Sequence, residues 1–293
     1  MFVCVLNSIN QHNIVIMIEA PEALYIAEQM NQTIQGKRIT FVTAGYTPHK
    51  FAWFYGNPEN YGNMLTGKIF GITHAYGGLL ETDIEDSRLL LGDGVNLRYF
   101  KPGDKIPDKH QLLIGFEDES FLTGSVRMYG GILCFPADSF ECSFTPYRDS
   151  AKNKPQVMSD AFNLDYFLTL INSDEKQKKT AKAFLATEQT IPGLGNGVLQ
   201  DILFNARLHP KTRINTLTDN QKENLFHCVK STLKEIYQAG GRNSETDLFG
   251  KKGNYFPILS KDTCGKPCPV CGEAIRKENY MGGSIYYCFE CQK

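Results

Sequence analysis

Cys268-Pro269-Val270-Cys271 and, after sixteen intervening residues, Cys288-Phe289-Glu290-Cys291 are two short cysteine knuckles close to the end of the chain. Zn²⁺ takes four soft ligands in a tetrahedron, and two C-x2-C pairs brought together by a hairpin supply that geometry. Gly272 and the Gly282-Gly283 pair suit the turns such a ribbon needs. Ordinary thiols or two disulfides are the alternatives, and the regular spacing argues against both. The expectation is one structural zinc ion held by Cys268, Cys271, Cys288 and Cys291.

Working outward, the other five of the nine cysteines (Cys4, Cys134, Cys142, Cys228 and Cys264) have no paired spacing. An odd total argues against a secreted disulfide framework and points to a reducing cytoplasm. The chain has 293 residues, enough for two domains with separate cores. No apolar run approaches the length of a membrane span, so no membrane partner is expected. The formal net charge is −1, whereas dedicated duplex binders usually carry a basic excess. Residues 1–16 lack the basic start and cleavage site of a signal peptide. They read as an extension upstream of a start at Met17, or as a short extra strand.

Pro21 and Glu22 have the character of a first helical turn, because proline is tolerated there and an acid suits the positive helix end. Leu24, Ala27, Met30 and Ile34 continue with a helical period to Gly36. Short β-rich runs follow at 39–42, 88–91, 112–116, 121–128 and 131–135, with a hairpin turn at Glu117-Asp118-Glu119-Ser120. Residues 17–142 therefore read as a helix fronting a mostly antiparallel β-sandwich, and polar residues 143–160 as a linker. Residues 161–250 read as helical. Thr180–Gln189 is one expected helix. Asn196 is the expected cap of a second, and Thr218 with Gln221 forms a capping box for a third. The fold class is α+β, ending in a zinc-binding segment over 251–293.

Gln189-Thr190-Ile191-Pro192-Gly193-Leu194-Gly195-Asn196 opens a helix N-terminus of the kind that receives a phosphate. With Asp201-Ile202-Leu203-Phe204 and His209-Pro210, it resembles the helix–two-turns–helix module of formamidopyrimidine-DNA glycosylases and endonuclease VIII. The Gly265–Gly272 and Tyr287–Lys293 segments are similar to the zinc finger of that family. Met17-Ile18-Glu19-Ala20-Pro21-Glu22 resembles its Met-Pro-Glu-x-Pro-Glu start.

The resemblance implies a base-excision-repair glycosylase that flips an oxidised or ring-opened base out of damaged double-stranded DNA. It also implies a monomer, located in the cytoplasm or on a bacterial nucleoid. In the family a proline amine attacks the sugar and forms an imine, a glutamate moves the proton, and a lysine and an arginine grip phosphates. Carried over, Glu19 is the proton shuttle, Glu22 the second glutamate and Asn196 the phosphate ligand. Lys109-His110 is similar to a Lys-His pair of the family. Arg127-Met128-Tyr129 corresponds to the residues that fill the gap left by the flipped base. Four positions depart from the pattern. Ile18 stands at the proline, Tyr76 at the hairpin lysine, Gly283 at the finger arginine and Asp93 at the remaining wedge. Met17 would then be the only nearby source of an α-amine. The alternatives are a non-catalytic binder of lesions or distorted DNA, and an unrelated zinc-ribbon adaptor for protein or RNA.

Overall fold

The computed structural model describes residues 18–92, 94–139, 141 and 145–293. Met17, Asp93, Cys4, Cys142 and the extension ahead of Met17 lie outside these residues. Two compact units emerge. Among the described residues, one comprises 18–149 and 236–255 and the other 150–235 and 256–293.

In the first unit, α1 (Ala20–Thr33) starts as its sequence dictates. Glu19 is its extended N-cap, a proline lies in the first turn, and Ala23, Ile26, Ala27 and Met30 form the buried stripe. Next come β1 (Ile39–Ala44), β2 (Ala52–Phe54), the single turn α2 (Tyr61–Leu65), β3 (Thr73–Tyr76), β4 (Leu79–Ile84), β5 (Ser87–Gly92), β6 (Val95–Phe100), β7 (Leu112–Phe116), β8 (Phe121–Val126) and β9 (Gly130–Pro136). One sheet runs β1-β7-β8-β6 and the other β2-β9-β5-β4-β3. All pairings within them are antiparallel except β2 with β9. The inner strand β5 is buried along nearly its whole length. Met30, Ile34, Leu65, Phe70, Leu89, Leu91, Leu112, Ile114, Leu122 and Ile132 form the shared core.

The expected sandwich is therefore present, with more strands than its sequence pattern revealed. β3 and β4 mix apolar residues with His74, Glu81, Thr82 and Asp83, which dilutes the alternation. They meet at Gly77-Gly78, and Gly77 has φ +59°, as a tight hairpin requires. The turn at Glu117–Ser120 forms as expected, with Phe116 N donating to Ser120 O at 3.0 Å. The stretch read as a linker differs: Thr145–Asn153 is a helix, α3. Its polar sequence hid it, because only Ala151 is buried.

The second unit contains α4 (Leu164–Ile171), the short α5 (Asp174–Gln177), a π-helical turn at Ala183–Thr187 and α6 (Asn196–Asn205). It also holds most of α7 (Asp219–Gln238) and the hairpin β10 (Arg276–Tyr280) with β11 (Gly283–Tyr287). The expected helix over 180–189 is thus largely a π turn. The cap of α6 is Gly195, with Asn196 as the first helical residue. The capping box of α7 is in place: Gln221 N donates to Thr218 Oγ1 at 3.3 Å, and Gln221 Oε1 accepts from Thr218 N at 3.0 Å. Phe162, Phe167, Phe184 and Phe226 pack ring against ring in its core.

Tyr61 fastens the parallel β2–β9 pairing. Its hydroxyl accepts from Tyr55 N at 2.9 Å and contacts the carbonyls of Tyr55 and Ile132, each at 3.0 Å. Tyr61→Phe leaves these buried groups short of a partner and should cost about 1–3 kcal/mol. The check is urea unfolding, where the midpoint falls while the slope stays constant.

Candidate functional site

The sheet unit contains a buried charge cluster at the start of α1. Glu19 and Glu22, one helical turn apart, are 2 % and 4 % exposed, and Arg242 is 4 % exposed. Arg242 Nη1 lies 3.3 Å from Glu19 Oε1, and its Nε lies 2.7 Å from Glu22 Oε1. Its backbone N–H also donates to Glu22 Oε1 at 3.1 Å. Among the described residues, Glu22 Oε2 has no hydrogen-bond partner. Burial alone would lower the guanidinium pKa, but the carboxylates of Glu19 and Glu22 outweigh it and hold Arg242 protonated. Gly240 and Gly241, both at positive φ, deliver Arg242 there. A Cβ on Gly241 would lie 3.1 Å from Glu22 Cγ, so glycine permits the approach.

A narrow recess beside this cluster is lined by Ile18, Glu22, Asn96, Arg127 and Glu245, among others. Burial raises the Glu245 carboxyl pKa; Arg242 opposes the rise and the charge of Glu22 reinforces it. Ile18 packs against the core. Its nitrogen is an amide bonded to Met17, so it has no nucleophilic lone pair. Glu19 is accordingly an ion-paired carboxylate.

The remaining residues named from sequence in this unit fall in three places. Tyr76 ends β3, its ring stacked on His74 at 5.8 Å. Burial, then Glu81 and Asp83, raise its phenol pKa. Nearby Glu81 is gripped by Arg148 through Nε at 2.5 Å and Nη2 at 2.8 Å. His110 is buried, stacked on Tyr46 at 5.0 Å, with Nδ1 3.0 Å from Pro107 O. It holds its loop in place instead of reaching outward as a DNA ligand, while Lys109 beside it is exposed. Arg127-Met128-Tyr129 forms the turn between β8 and β9. Met128 is 51 % exposed, whereas the Tyr129 ring rests 4.9 Å from Phe51 and 5.9 Å from Trp53.

The helical unit has its own constellation. Asn196 is exposed at the start of α6. The preceding turn is strapped by Gln189, whose Nε2 donates to Leu194 O at 2.8 Å and whose Oε1 accepts from Gly193 N at 3.2 Å. Lys182, just ahead of the π turn, is 2 % exposed and donates to Tyr280 O at 2.5 Å. Burial lowers its pKa. Gly283 lies against both residues. A side chain there would collide with Asn196 Nδ2 and approach Lys182 Nζ to 3.4 Å. The hairpin is tied to α6 by Gln200, which donates to Ser284 O at 3.2 Å and accepts from Tyr286 N at 3.0 Å. Asp201 accepts from Ile258 N and Leu259 N at 2.9 and 2.8 Å, so it is a structural strap.

The four cysteine sulfurs lie within 4.8 Å of one another. Cys268 and Cys291 are 3.8 Å apart and Cys271 and Cys288 3.3 Å. Four sulfurs about 2.3 Å from one ion would be spaced by about 3.8 Å, so the set fits a tetrahedral thiophilic metal. Gly272 N donates to Cys268 O, and Gln292 N to Cys288 O, closing the two knuckles. Sequence reading missed Arg242, Glu245 and Lys182. The Gly240-Gly241 pair directly before Arg242 was a usable signal. Lys182 had none, since lysines cluster throughout that stretch.

An α+β protein with a buried Glu-Glu-Arg centre in one unit, and a helix module joined to a four-cysteine hairpin in the other, is a well-defined class. Residues 154–247 match the formamidopyrimidine-DNA glycosylase H2TH domain. The chain is 28 % identical over 286 residues to the formamidopyrimidine-DNA glycosylase of Lactobacillus delbrueckii subsp. bulgaricus, spanning 94 % of this chain and 100 % of that protein. The Mycoplasma mobile protein of the same name is 36 % identical over 135 residues, 45 % of this chain and 48 % of its own. The fold superposes on that of Lactococcus lactis Fpg in complex with abasic-site DNA, with TM-score 0.78 and 24 % identity over 94 % of this chain and 99 % of that one. Thermus thermophilus MutM gives TM-score 0.77 at 19 % identity, over 94 % and 98 %. The chain is thus similar over most of its length to formamidopyrimidine-DNA glycosylases, and its fold is theirs.

Glu245 offers a pH test. Its carboxyl pKa is raised on folding, so the folded state holds the proton more tightly. Stability is then greatest below the unfolded value and falls as pH rises through the folded value. Glu245→Gln removes that loss. Its stability advantage over the parent should be absent in acid and grow towards neutral pH; an advantage that shrinks with rising pH contradicts the assignment. Separately, Arg242→Met strands two buried carboxylates and should cost about 3–5 kcal/mol in thermal or urea unfolding.

Proposed function

We propose that this protein is a DNA N-glycosylase of base-excision repair, acting on oxidised or ring-opened bases flipped from damaged double-stranded DNA. The observation that carries the proposal is the Asn196–Lys182–Gly283 constellation, an α6 N-terminus joined to a four-cysteine hairpin, in a chain related over most of its length to enzymes of that name. Asn196 engages phosphate, backed by the buried Lys182, and the exposed Met128 with Arg127 fills the vacated stack. The cysteines hold a structural Zn²⁺, which fixes the hairpin against α6 and takes no part in the chemistry.

The reaction is hydrolytic. Glu19 accepts a proton from water as the oxygen bonds to C1′ and the glycosidic bond breaks; the leaving base then takes up that proton, which restores the Glu19 carboxylate. Arg242 orients the Glu19 carboxylate. With Ile18 inside a peptide bond, no imine forms through its nitrogen, so strand cleavage by that route is absent. The tight Arg242–Glu19 pairing favours a second reading, a lesion-binding protein without turnover, because an ion-paired carboxylate is a poorer base.

Duplexes bearing an oxidised purine, a formamidopyrimidine or an abasic site separate these readings. Base release without borohydride trapping is expected, and Glu19→Gln should abolish release while preserving affinity. Tight binding of the abasic duplex with no release from any lesion would select the second reading. Borohydride trapping would overturn the hydrolytic route. Asn196→Ala should weaken binding to all duplexes alike, by about fivefold, the worth of one hydrogen bond of about 1 kcal/mol. Binding that is undetectable at low salt would sink both readings. Zinc removal by a chelator should lower duplex affinity and leave the sheet unit folded, seen as loss of only part of the cooperative unfolding signal.

A further inference from the structure

A second recess of the sheet unit takes no part in that chemistry. It has a volume of about 470 Å³ and is lined by Arg98, Tyr99, Phe100, Lys101, Asp104, Lys105 and Phe249. We propose that this recess binds a nucleotide unit, a phosphate joined to a planar base, at a site separate from the Glu19–Arg242 centre.

Its charge is net positive, three cations against the single carboxylate of Asp104. That carboxylate already accepts from Lys101 N at 2.8 Å. Among the described residues, the side chains of Arg98, Lys101 and Lys105 have no carboxylate partner, and Arg98 is seated 5.8 Å from the Phe100 ring. Such a guanidinium keeps its donor fork available for a phosphate. Flat apolar walls complete the site. Phe249 is 41 % exposed and meets Tyr99 edge-on at 6.1 Å.

The walls are rigid, which distinguishes this recess from a chance gap between surface side chains. Tyr99 N donates to Leu248 O at 2.8 Å, and Leu248 is fully buried. Asp247 Oδ1 accepts from Phe249 N at 3.0 Å and Lys251 N at 2.8 Å, and Asp247 Oδ2 accepts from Gln29 Nε2 at 3.0 Å. Gly250, at φ +73°, closes the turn, and any side chain there would collide with the Arg98 guanidinium. An exposed phenyl ring held on so constrained a turn, beside three cations, suits a base that stacks while its phosphate is gripped. The volume is that of a small-ligand site.

The shared chemistry has two sources, a free nucleotide or one unit of a DNA strand. Calorimetric titration of the full chain with AMP, adenosine, inorganic phosphate and a short single-stranded oligothymidylate distinguishes them. AMP should bind more tightly than adenosine or phosphate, and Arg98→Ala and Phe249→Ala should each weaken it about tenfold, equivalent to about 1.4 kcal/mol. Both residues are surface-exposed, and an unchanged thermal midpoint confirms folding. Oligothymidylate binding tighter than AMP and sensitive to Arg98→Ala identifies a strand as the occupant. AMP binding alone identifies a free nucleotide. The proposal is overturned if neither probe binds, if inorganic phosphate binds as well as AMP, or if binding is unchanged in Arg98→Ala. Oligothymidylate binding lost in Asn196→Ala but retained in Arg98→Ala belongs to the helical unit, and with no AMP binding it also overturns the proposal.

Discussion

A guanidinium with no access to water sits between two carboxylates one helical turn apart, and the sheet unit is arranged around it. Moving Arg242 out of water costs several kcal/mol, and only close pairing with Glu19 and Glu22 offsets that cost. The geometry tolerates little slack. It explains why α1 begins with Glu19 as its N-cap, why Gly241 has no side chain, and why Arg242 offers its backbone N–H to Glu22 as well as its Nε. The cluster also acts on its neighbour. Burial makes the half-buried Glu245 resist ionisation; Arg242 opposes that rise and the charge of Glu22 reinforces it.

A second constraint, in the helical unit, is steric. Gly283 lies directly against the Asn196 amide, so a side chain there would require Asn196 to shift. The hairpin is pulled onto α6 by Gln200, which bonds the backbone of Ser284 and Tyr286. The cation at this place is Lys182, buried and bonded to Tyr280 O. A π turn directly after Lys182 sets its direction, a local distortion common at functional sites.

Sequence patterns disclosed the parts governed by local rules. The start of α1, the Glu117–Ser120 turn, the Thr218–Gln221 box and the cysteine knuckles each depend on residues within a few positions of one another. The parts that escaped depend on distant partners. β3 and β4 carry polar residues that are buried because Arg148 and Thr73–Thr82 contacts satisfy them, which alternation cannot reveal. α3 was hidden because its surface is almost entirely polar. Arg242 lies over two hundred residues from Glu19, so no spacing rule could join them. Asn196 was given the wrong local role, since Gly195 takes the cap and leaves Asn196 exposed as the first helical residue.

The departures at Ile18, Tyr76 and Gly283 are physically coherent. An amine nucleophile needs a free α-nitrogen whose pKa lies near neutrality. Ile18 offers an amide nitrogen, and the cation beside Glu19 is a guanidinium, which does not lose its proton in the accessible range. Tyr76 lies beside Glu81 and Asp83, and its phenol pKa is raised by burial and by those carboxylates. Gly283 adds no charge. The sheet unit thus sets one permanent cation and a phenol of raised pKa among carboxylates. Of these, Glu19 is ion-paired with Arg242, while Glu245 is biased towards its acid form. Neighbouring carboxyl groups driven towards opposite protonation states can divide acid and base roles between them without any amine.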